Sequence, residues 1–204
     1  MNIFCVVRNY APHAAEMKSP LPAEPTFFEK PHTALLPSPA TLTYPPFTND
    51  LQHEIEIVVK IEKSGSHIPC TDAHLYYNSV ALGIDLTARD IQRGFKASGM
   101  PWLLSKGFDG SAIVSQFLPL DALHKSINDL FFSLCVNGKT VQEGNSGDMI
   151  FSPDRLISYL SQFVTLSAGD LIYTGTPAGV GPIQRGDHLT GFLEGEQLLS
   201  LRVI

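Results

Sequence analysis

Gln52-His53-Glu54-Ile55-Glu56-Ile57-Val58-Val59-Lys60-Ile61 is the most regular stretch of the chain. Ile55, Ile57, Val59 and Ile61 fall on one parity and Glu54, Glu56 and Lys60 on the other, which is the period-two pattern of a β-strand. Such a strand needs neighbours, and the rest of the sequence supplies them. Val80 to Leu86 is a second apolar run, ending at Asp85. Asp129 to Val136, Asn137-Gly138 and Lys139 to Glu143 have the form of a hairpin, because an Asn-Gly pair tolerates the positive φ of a two-residue turn. Leu171 to Tyr173 reads as a strand leading into the Gly/Pro-rich run Thr174 to Pro182, and Leu189 to Val203 as a hairpin turning at Glu194 to Glu196. Helices are fewer and short. One is expected from Thr71-Asp72. A second opens on the capping-box pattern Thr87-Ala88-Arg89-Asp90, carries Arg89 and Gln92 on one face and stops at Gly99. A third is capped by Ser152-Pro153-Asp154, with Leu156, Leu160 and Phe163 at helical spacing. The expected fold class is α+β and strand-rich.

A chain of 204 residues with 44% hydrophobic and 17% charged positions supports one domain. Fourteen Lys and Arg against twenty Asp and Glu give a formal charge of -6. That balance lacks the basic excess that nucleic acid or an anionic membrane attracts. No apolar run approaches the roughly 18 residues of a spanning helix, and the apolar start at Ile3 to Val7 is stopped by Arg8 before it can form a signal peptide. Cys5, Cys70 and Cys135 are odd in number and widely spaced, which argues against a disulfide framework and a thiolate zinc site. A cytoplasmic location is therefore expected. Nine of the fifteen prolines lie between Pro12 and Pro46. Proline removes a backbone donor, so this segment is expected to form loops and short edge strands, anchored by Phe27, Phe28, Tyr44 and Phe47. Disorder is the competing reading, but the segment is not poor in apolar residues.

Glu54 and Glu56 project from the same face of one strand, about 6.5–7 Å apart. A solvated strand face has the same pattern. Asp85 favours a different reading, since an acid at the end of an apolar strand requires a partner. Three carboxylates without cysteine make an oxygen-ligand site, suited to Mg²⁺, Mn²⁺ or Ca²⁺ rather than zinc. His53 points to the other face and reads as structural. His13 and Glu16, at i and i+3, can form a carboxylate-oriented general base on one helical turn. Thr174 to Pro182 lacks the Gly-Lys-Ser/Thr ending of a phosphate loop. It reads better as a rigid loop presenting hydroxyls and amides to a carboxylate.

Several segments together carry a resemblance: Arg8-Asn9-Tyr10-Ala11 with His13 and Glu16, Phe28-Glu29-Lys30-Pro31, His53-Glu54-Ile55-Glu56, Asp85-Leu86-Thr87-Ala88-Arg89-Asp90-Ile91-Gln92, Pro101-Trp102 with Lys106, and Tyr173-Thr174-Gly175-Thr176-Pro177. In order and spacing the chain resembles the fumarylacetoacetate hydrolase family, in its short acylpyruvase and oxaloacetate decarboxylase branch. The resemblance implies a single catalytic domain over 1–204, a roll of mixed β-sheets, a lid within about 9–46 and a homodimer. It also implies Mg²⁺ (or Mn²⁺ or Ca²⁺) held by Glu54, Glu56 and Asp85, and a water-activating dyad of His13 and Glu16. Lys106 would stabilise the oxyanion, while Arg89, Gln92, Lys30 and Thr176 would line the substrate pocket. The implied activity is metal-dependent hydrolysis of a carbon–carbon bond in acylpyruvate-like β-diketo or 2-oxo acids. Oxaloacetate decarboxylation or isomerisation of a 2-hydroxy-diene-dioate on the same site is the alternative. The chain departs from the family pattern at Val7, where glycine is common, and at Pro12, where an acid is frequent.

Overall fold

In the computed structural model, which describes residues 1–16 and 20–204, the 52–61 stretch forms two strands rather than one. Leu51–His53 and Ile55–Lys60 separate at Glu54 and join different sheets. Ile55–Lys60 lies at the centre of an eight-stranded mixed sheet. Its order is Phe27–Lys30, Ile3–Val6, Leu171–Tyr173, Ile55–Lys60, Ser79–Asp85, Ala112–Val114 and Leu35–Pro37, with Leu118–Pro119 paired beside Ser79. Leu51–His53 is the middle strand of a small sheet, between Gly181–Pro182 and Thr87–Ala88. A five-stranded sheet completes the fold, ordered Lys139–Asn145, Phe131–Val136, His188–Leu193, Glu196–Val203 and Ala40–Leu42.

Ile55, Ile57 and Val59 pack with Leu82, Ile84, Phe132, Leu134, Leu189, Leu199 and Leu201 in the main core. On the opposite face, Val58 joins Ile3, Cys5, Ala81 and Tyr173 in a second apolar cluster. The central strands are thus covered on both sides, and each fully buried isoleucine contributes roughly 1.5–3 kcal/mol. Glu54 and Glu56 are 6% and 1% exposed, which rules out a solvated strand face.

The proline-rich segment folds as edges. Phe27–Lys30 and Leu35–Pro37 terminate the eight-stranded sheet, and Ala40–Leu42 terminates the five-stranded one. A missing proline N–H costs nothing at an edge whose outer side has no partner strand. Phe27 and Tyr44 pack on the main core and Phe28 on the second cluster. Phe47 remains half exposed against Phe108, with ring centroids 5.4 Å apart. Residues 17–19, which fall within the expected lid, lie outside the described residues.

The hairpin turns are as read: Asn137 and Gly138 both have positive φ, as do Glu194 and Gly195. Four α-helices occur among the described residues: α1 (Ala11–Glu16), α2 (Arg89–Ser98), α3 (Leu103–Lys106) and α4 (Pro153–Leu160). Three helical expectations are corrected. The Thr71-Asp72 helix is only a 3₁₀ turn, Ala73–Tyr76. The capping box does not form, because Thr87 is held in the small sheet and its hydroxyl donates to Glu54 Oε1 at 3.2 Å. Asp90 instead accepts from Thr48 Oγ1 and the Asn49 and Ile91 amides, fastening the start of α2 to the 48–49 loop. Phe163 lies beyond the end of α4 and is 70% exposed. Ser152 caps α4 as expected, accepting from the Arg155 amide. No helix among the described residues is long and apolar enough to cross a membrane.

Candidate active site

Three segments leave the large sheet for the small one at the same corner, through Glu54, through Leu86 and through the run after Tyr173. Backbone at such a crossing turns away from its ladder, so side chains from different strands converge there. Glu54, Glu56 and Asp85 do so: one carboxylate oxygen from each lies within 4.8 Å of the others, and all three residues are buried. Oxygens sharing one cation at 2.0–2.6 Å are at most about 5 Å apart, so the spacing fits a hard divalent ion.

Cations surround these acids. Lys106 Nζ donates to Glu54 Oε2 at 2.8 Å and to Asp85 Oδ2 at 2.7 Å, with the Phe28 ring 5.0 Å away. Arg89 Nη2 pairs with Glu54 Oε1 at 2.5 Å, while its Nη1 and Nε donate to Gln92 Oε1 and Gln52 Oε1. Lys30 Nζ stands 2.7 Å from Asp85 Oδ1, but its three protons are directed to the carbonyls of Leu86, Lys106 and Ser111. Asp85 Oδ1 consequently has charge beside it and no hydrogen bond. A buried carboxylate oxygen left in that state is suited to a metal. The three carboxylates and the three cations Lys30, Lys106 and Arg89 balance in formal charge.

The acids are electrostatically unequal. Burial alone would raise the Glu54 carboxyl, but Lys106 and then Arg89 outweigh it and hold Glu54 below the usual carboxylate range. Burial pushes Glu56 well above that range, and the charges of Asp85 and Glu54 push it further. Its main relief is the Gly175 amide, which donates to Oε2 at 2.7 Å. Gly175 has φ +101, and a Cβ there would lie 2.6 Å from Asn9 Cβ, so only glycine brings this amide to Glu56. A cation among the three acids would remove the penalty on ionising Glu56.

A cavity of about 250 Å³ opens above the acids, and His13, Glu54, Glu56, Arg89, Gln92, Lys106 and Thr176 line it. His13 on α1 is buried, with Nδ1 3.2 Å from Glu16 Oε2. The Gly179 amide donates to both Glu16 oxygens at 3.3 Å, tying α1 to the Gly/Pro-rich loop. Pro12 sits in the first turn of α1, where proline is tolerated. Lys30 differs from its expected placement, and Thr176 keeps its place with its hydroxyl already engaged. Lys30 does not line the cavity; it is fully buried beneath Asp85. Thr176 does line it, but its hydroxyl donates to the Ile55 carbonyl and accepts from Gln142 Nε2.

Sequence reasoning missed several contributors. Gln52 shares the parity of Glu54 and was findable by that signal. Gln142 carried none: it sits in a hairpin strand, yet its Oε1 accepts from the Ile55 amide and lies 2.9 Å from His53 Nδ1. His53 is structural, as read. Arg8 and Lys96 also line the cavity without having been assigned a role.

Removal of the Lys30 charge is expected to be costly. Lys30→Met takes a donor from three buried carbonyls, of which those of Lys106 and Ser111 keep Ser111 Oγ and the Leu86 amide, and leaves Asp85 with one cation fewer, a loss of roughly 3–5 kcal/mol in unfolding free energy that comes mainly from the broken buried ion pair. Urea denaturation measures it, and a loss below about 1 kcal/mol would contradict the role given to Lys30.

The sequence pattern of the fumarylacetoacetate (FAA) hydrolase C-terminal domain matches residues 2–202. The chain belongs to this family. Its strand-rich fold with four short helices is that of the family's solved structures. The mouse protein named oxaloacetate tautomerase FAHD1, mitochondrial, is 43% identical over 202 residues, covering 99% of this chain and 91% of that protein. The Dictyostelium discoideum oxaloacetate decarboxylase, mitochondrial, is 41% identical and covers 90% of this chain and 84% of its own. Fumarylpyruvate hydrolase from Pseudomonas aeruginosa, solved with Mn²⁺ and pyruvate, superposes with a TM-score of 0.94 at 38% identity, covering 100% of this chain and 89% of that one. The family is thus one of enzymes acting on oxo acids, with tautomerase, decarboxylase and hydrolase members.

Proposed function

We propose that this protein is a divalent-metal-dependent hydrolase that cleaves a carbon–carbon bond in acylpyruvate-like β-diketo acids. The observation that supports the reading is that His13, paired with Glu16, lines the same cavity as Glu54 and Glu56, whose carboxylates cluster with that of Asp85. Glu54, Glu56 and Asp85 would hold the ion, Mg²⁺ in the first instance, with Mn²⁺ or Ca²⁺ as substitutes. Bound there, it supplies Lewis acidity to the oxygens of a 2-oxo acid as they take on enolate charge. Because three carboxylates and three cations already balance, a divalent ion leaves the site positive, which favours a dianionic substrate.

With the Nδ1 proton directed to Glu16, Nε2 of His13 is the basic nitrogen, and it takes the proton from an attacking water. Lys106 has three protons and uses two on Glu54 and Asp85, so the third is available to the oxyanion formed at the attacked carbonyl. Collapse of that tetrahedral centre breaks the bond to the enolate carbon and releases a carboxylic acid. Arg89 orients Gln92 through its carbonyl, leaving the Gln92 amide protons for the substrate carboxylate. Thr176 contributes by holding the loop, since its hydroxyl is committed to the Ile55 carbonyl. Lys30 acts from beneath by fixing Asp85. The lid within about 9–46 would be α1, which carries His13 and is held against the Gly/Pro-rich loop by the Gly179 amide donating to Glu16.

The relatives' names favour a second reading, decarboxylation or enol–keto isomerisation of oxaloacetate, which uses the same electron sink and no attacking water. A panel of acylpyruvates, oxaloacetate and a 2-hydroxy-diene-dioate, each assayed with Mg²⁺ and with chelator, separates the readings. Chelator-sensitive release of pyruvate and a carboxylic acid from an acylpyruvate is expected. Turnover confined to oxaloacetate would replace hydrolysis with the second reading.

A further inference from the structure

Gln142 belongs to the hairpin strand Lys139–Asn145 of the five-stranded sheet, and no step of the chemistry above uses it. It is nevertheless only 2% exposed, and all four hydrogen-bonding positions of its amide are filled. Oε1 accepts from the Ile55 amide at 3.0 Å and from His53 Nδ1 at 2.9 Å. Nε2 donates to Thr176 Oγ1 at 2.8 Å and to the Pro177 carbonyl at 3.0 Å. The Ile55 amide can only donate and the Pro177 carbonyl can only accept, so the side chain has one orientation, and His53 carries a proton on Nδ1.

These bonds stand where a backbone ladder ends. The Leu171–Tyr173 strand pairs with Val58, Val59 and Lys60 and goes no further along the Ile55–Lys60 strand. Beyond that point the Ile57 carbonyl accepts from the Thr174 amide and hydroxyl, the Ile55 carbonyl accepts from the Thr176 hydroxyl, and the Ile55 amide donates to Gln142. Side chains thus replace a partner strand along the stretch that carries Glu54 and Glu56. Gly175, between the two threonines, is left free to aim its amide at Glu56 Oε2. The strand of Gln142 also meets the far end of the loop, since a Cβ on Gly179 would strike the Val141 carbonyl oxygen.

We propose that Gln142 is a positioning residue for the acidic corner, which sets its affinity for a divalent ion. Gln142 clamps Ile55, the residue between two of the acids, to Thr176 and Pro177, and so fixes the spacing of Glu54 and Glu56 and the aim of the Gly175 amide. It does not line the cavity, and its effect passes through the backbone it holds. This rests on the metal reading above.

Calorimetric Mn²⁺ titration tests it. Gln142→Met keeps the length of the side chain and removes its four bonds; the folded variant should bind Mn²⁺ about 10-fold more weakly, as is usual when hydrogen bonds behind metal ligands are lost. Thr176→Val breaks the same bridge from its other side and should weaken binding to a similar extent, whereas Thr176→Ser, which keeps the hydroxyl, should retain most of the affinity. Because the two residues form one chain of bonds, the double variant Gln142→Met/Thr176→Val should lose little more than the larger single loss, where independent sites would multiply. A residue that served stability alone would lower resistance to urea and leave the Mn²⁺ affinity of the folded protein unchanged. Wild-type affinity in folded Gln142→Met or in folded Thr176→Val, or multiplication of the two losses, would overturn the role of Gln142 alone. Absence of Mn²⁺ binding by the wild type would remove the metal reading and this role with it.

Discussion

Asp85→Asn should lower metal-dependent turnover by about 10³-fold or more and weaken Mn²⁺ binding in parallel. Asp85 holds two positions in the corner at once: Oδ2 accepts from Lys106, and Oδ1, beside Lys30, has no hydrogen bond of its own. Asparagine keeps the shape, removes the charge and can present an N–H₂ to one of two ammoniums. Either orientation of the amide is unfavourable, since both lysines offer only protons. Lewis-acid stabilisation is worth several kcal/mol, and each 1.36 kcal/mol is a decade in rate, which sets the magnitude. Turnover at saturating Mn²⁺ and calorimetric Mn²⁺ titration check the two parts separately. Wild-type affinity for Mn²⁺ in a folded Asp85→Asn protein would remove Asp85 from the metal site.

His13→Ala separates the two chemistries. Acylpyruvate hydrolysis should fall by about 10²- to 10⁴-fold, the usual contribution of a positioned general base. Decarboxylation of oxaloacetate, which needs no activated water, should fall far less. Glu16→Gln should give a smaller loss of hydrolysis, because the amide can still accept from His13 Nδ1 and from the Gly179 amide but does not stabilise the imidazolium. Steady-state rates on an acylpyruvate and on oxaloacetate for the same enzyme preparation provide the comparison. Equal loss on both substrates would contradict a role for His13 confined to the water.

How much of this was legible depended on whether a residue's role was local. The cluster of buried acids was readable because period-two alternation places Glu54 and Glu56 on one face and an apolar run ending in Asp85 marks a buried charge. The contact between His13 and Glu16 was readable from their i, i+3 spacing. The break at Glu54 was not, because it is caused by pairing with Gly181–Pro182 and Thr87–Ala88, strands distant in sequence. For the same reason the Thr87 capping box failed: local propensity favoured a helix cap, and the small sheet claimed the residue. Lys30 read as a pocket residue because a lysine in a family motif suggests a substrate contact. Its burial depends on carbonyls contributed by Leu86, Lys106 and Ser111, and no local signal announces them. Arg8 was visible in its motif, but its place in the cavity without an ion-pair partner among the described residues is a property of the assembled fold.

The crossing of three segments at one corner also bears on how the protein is made. Thr87 reaches Glu54 across 33 residues, and Gly175 reaches Glu56 across 119. Pairings of such long range close late, after shorter-range structure has formed. A chain emerging from the ribosome therefore holds Glu54, Glu56 and Asp85 long before the Gly175 amide exists to complete their surroundings. Until the last third of the polypeptide has been synthesised, the acids remain an open strand end, and the finished charge cluster arises only with the nearly complete chain.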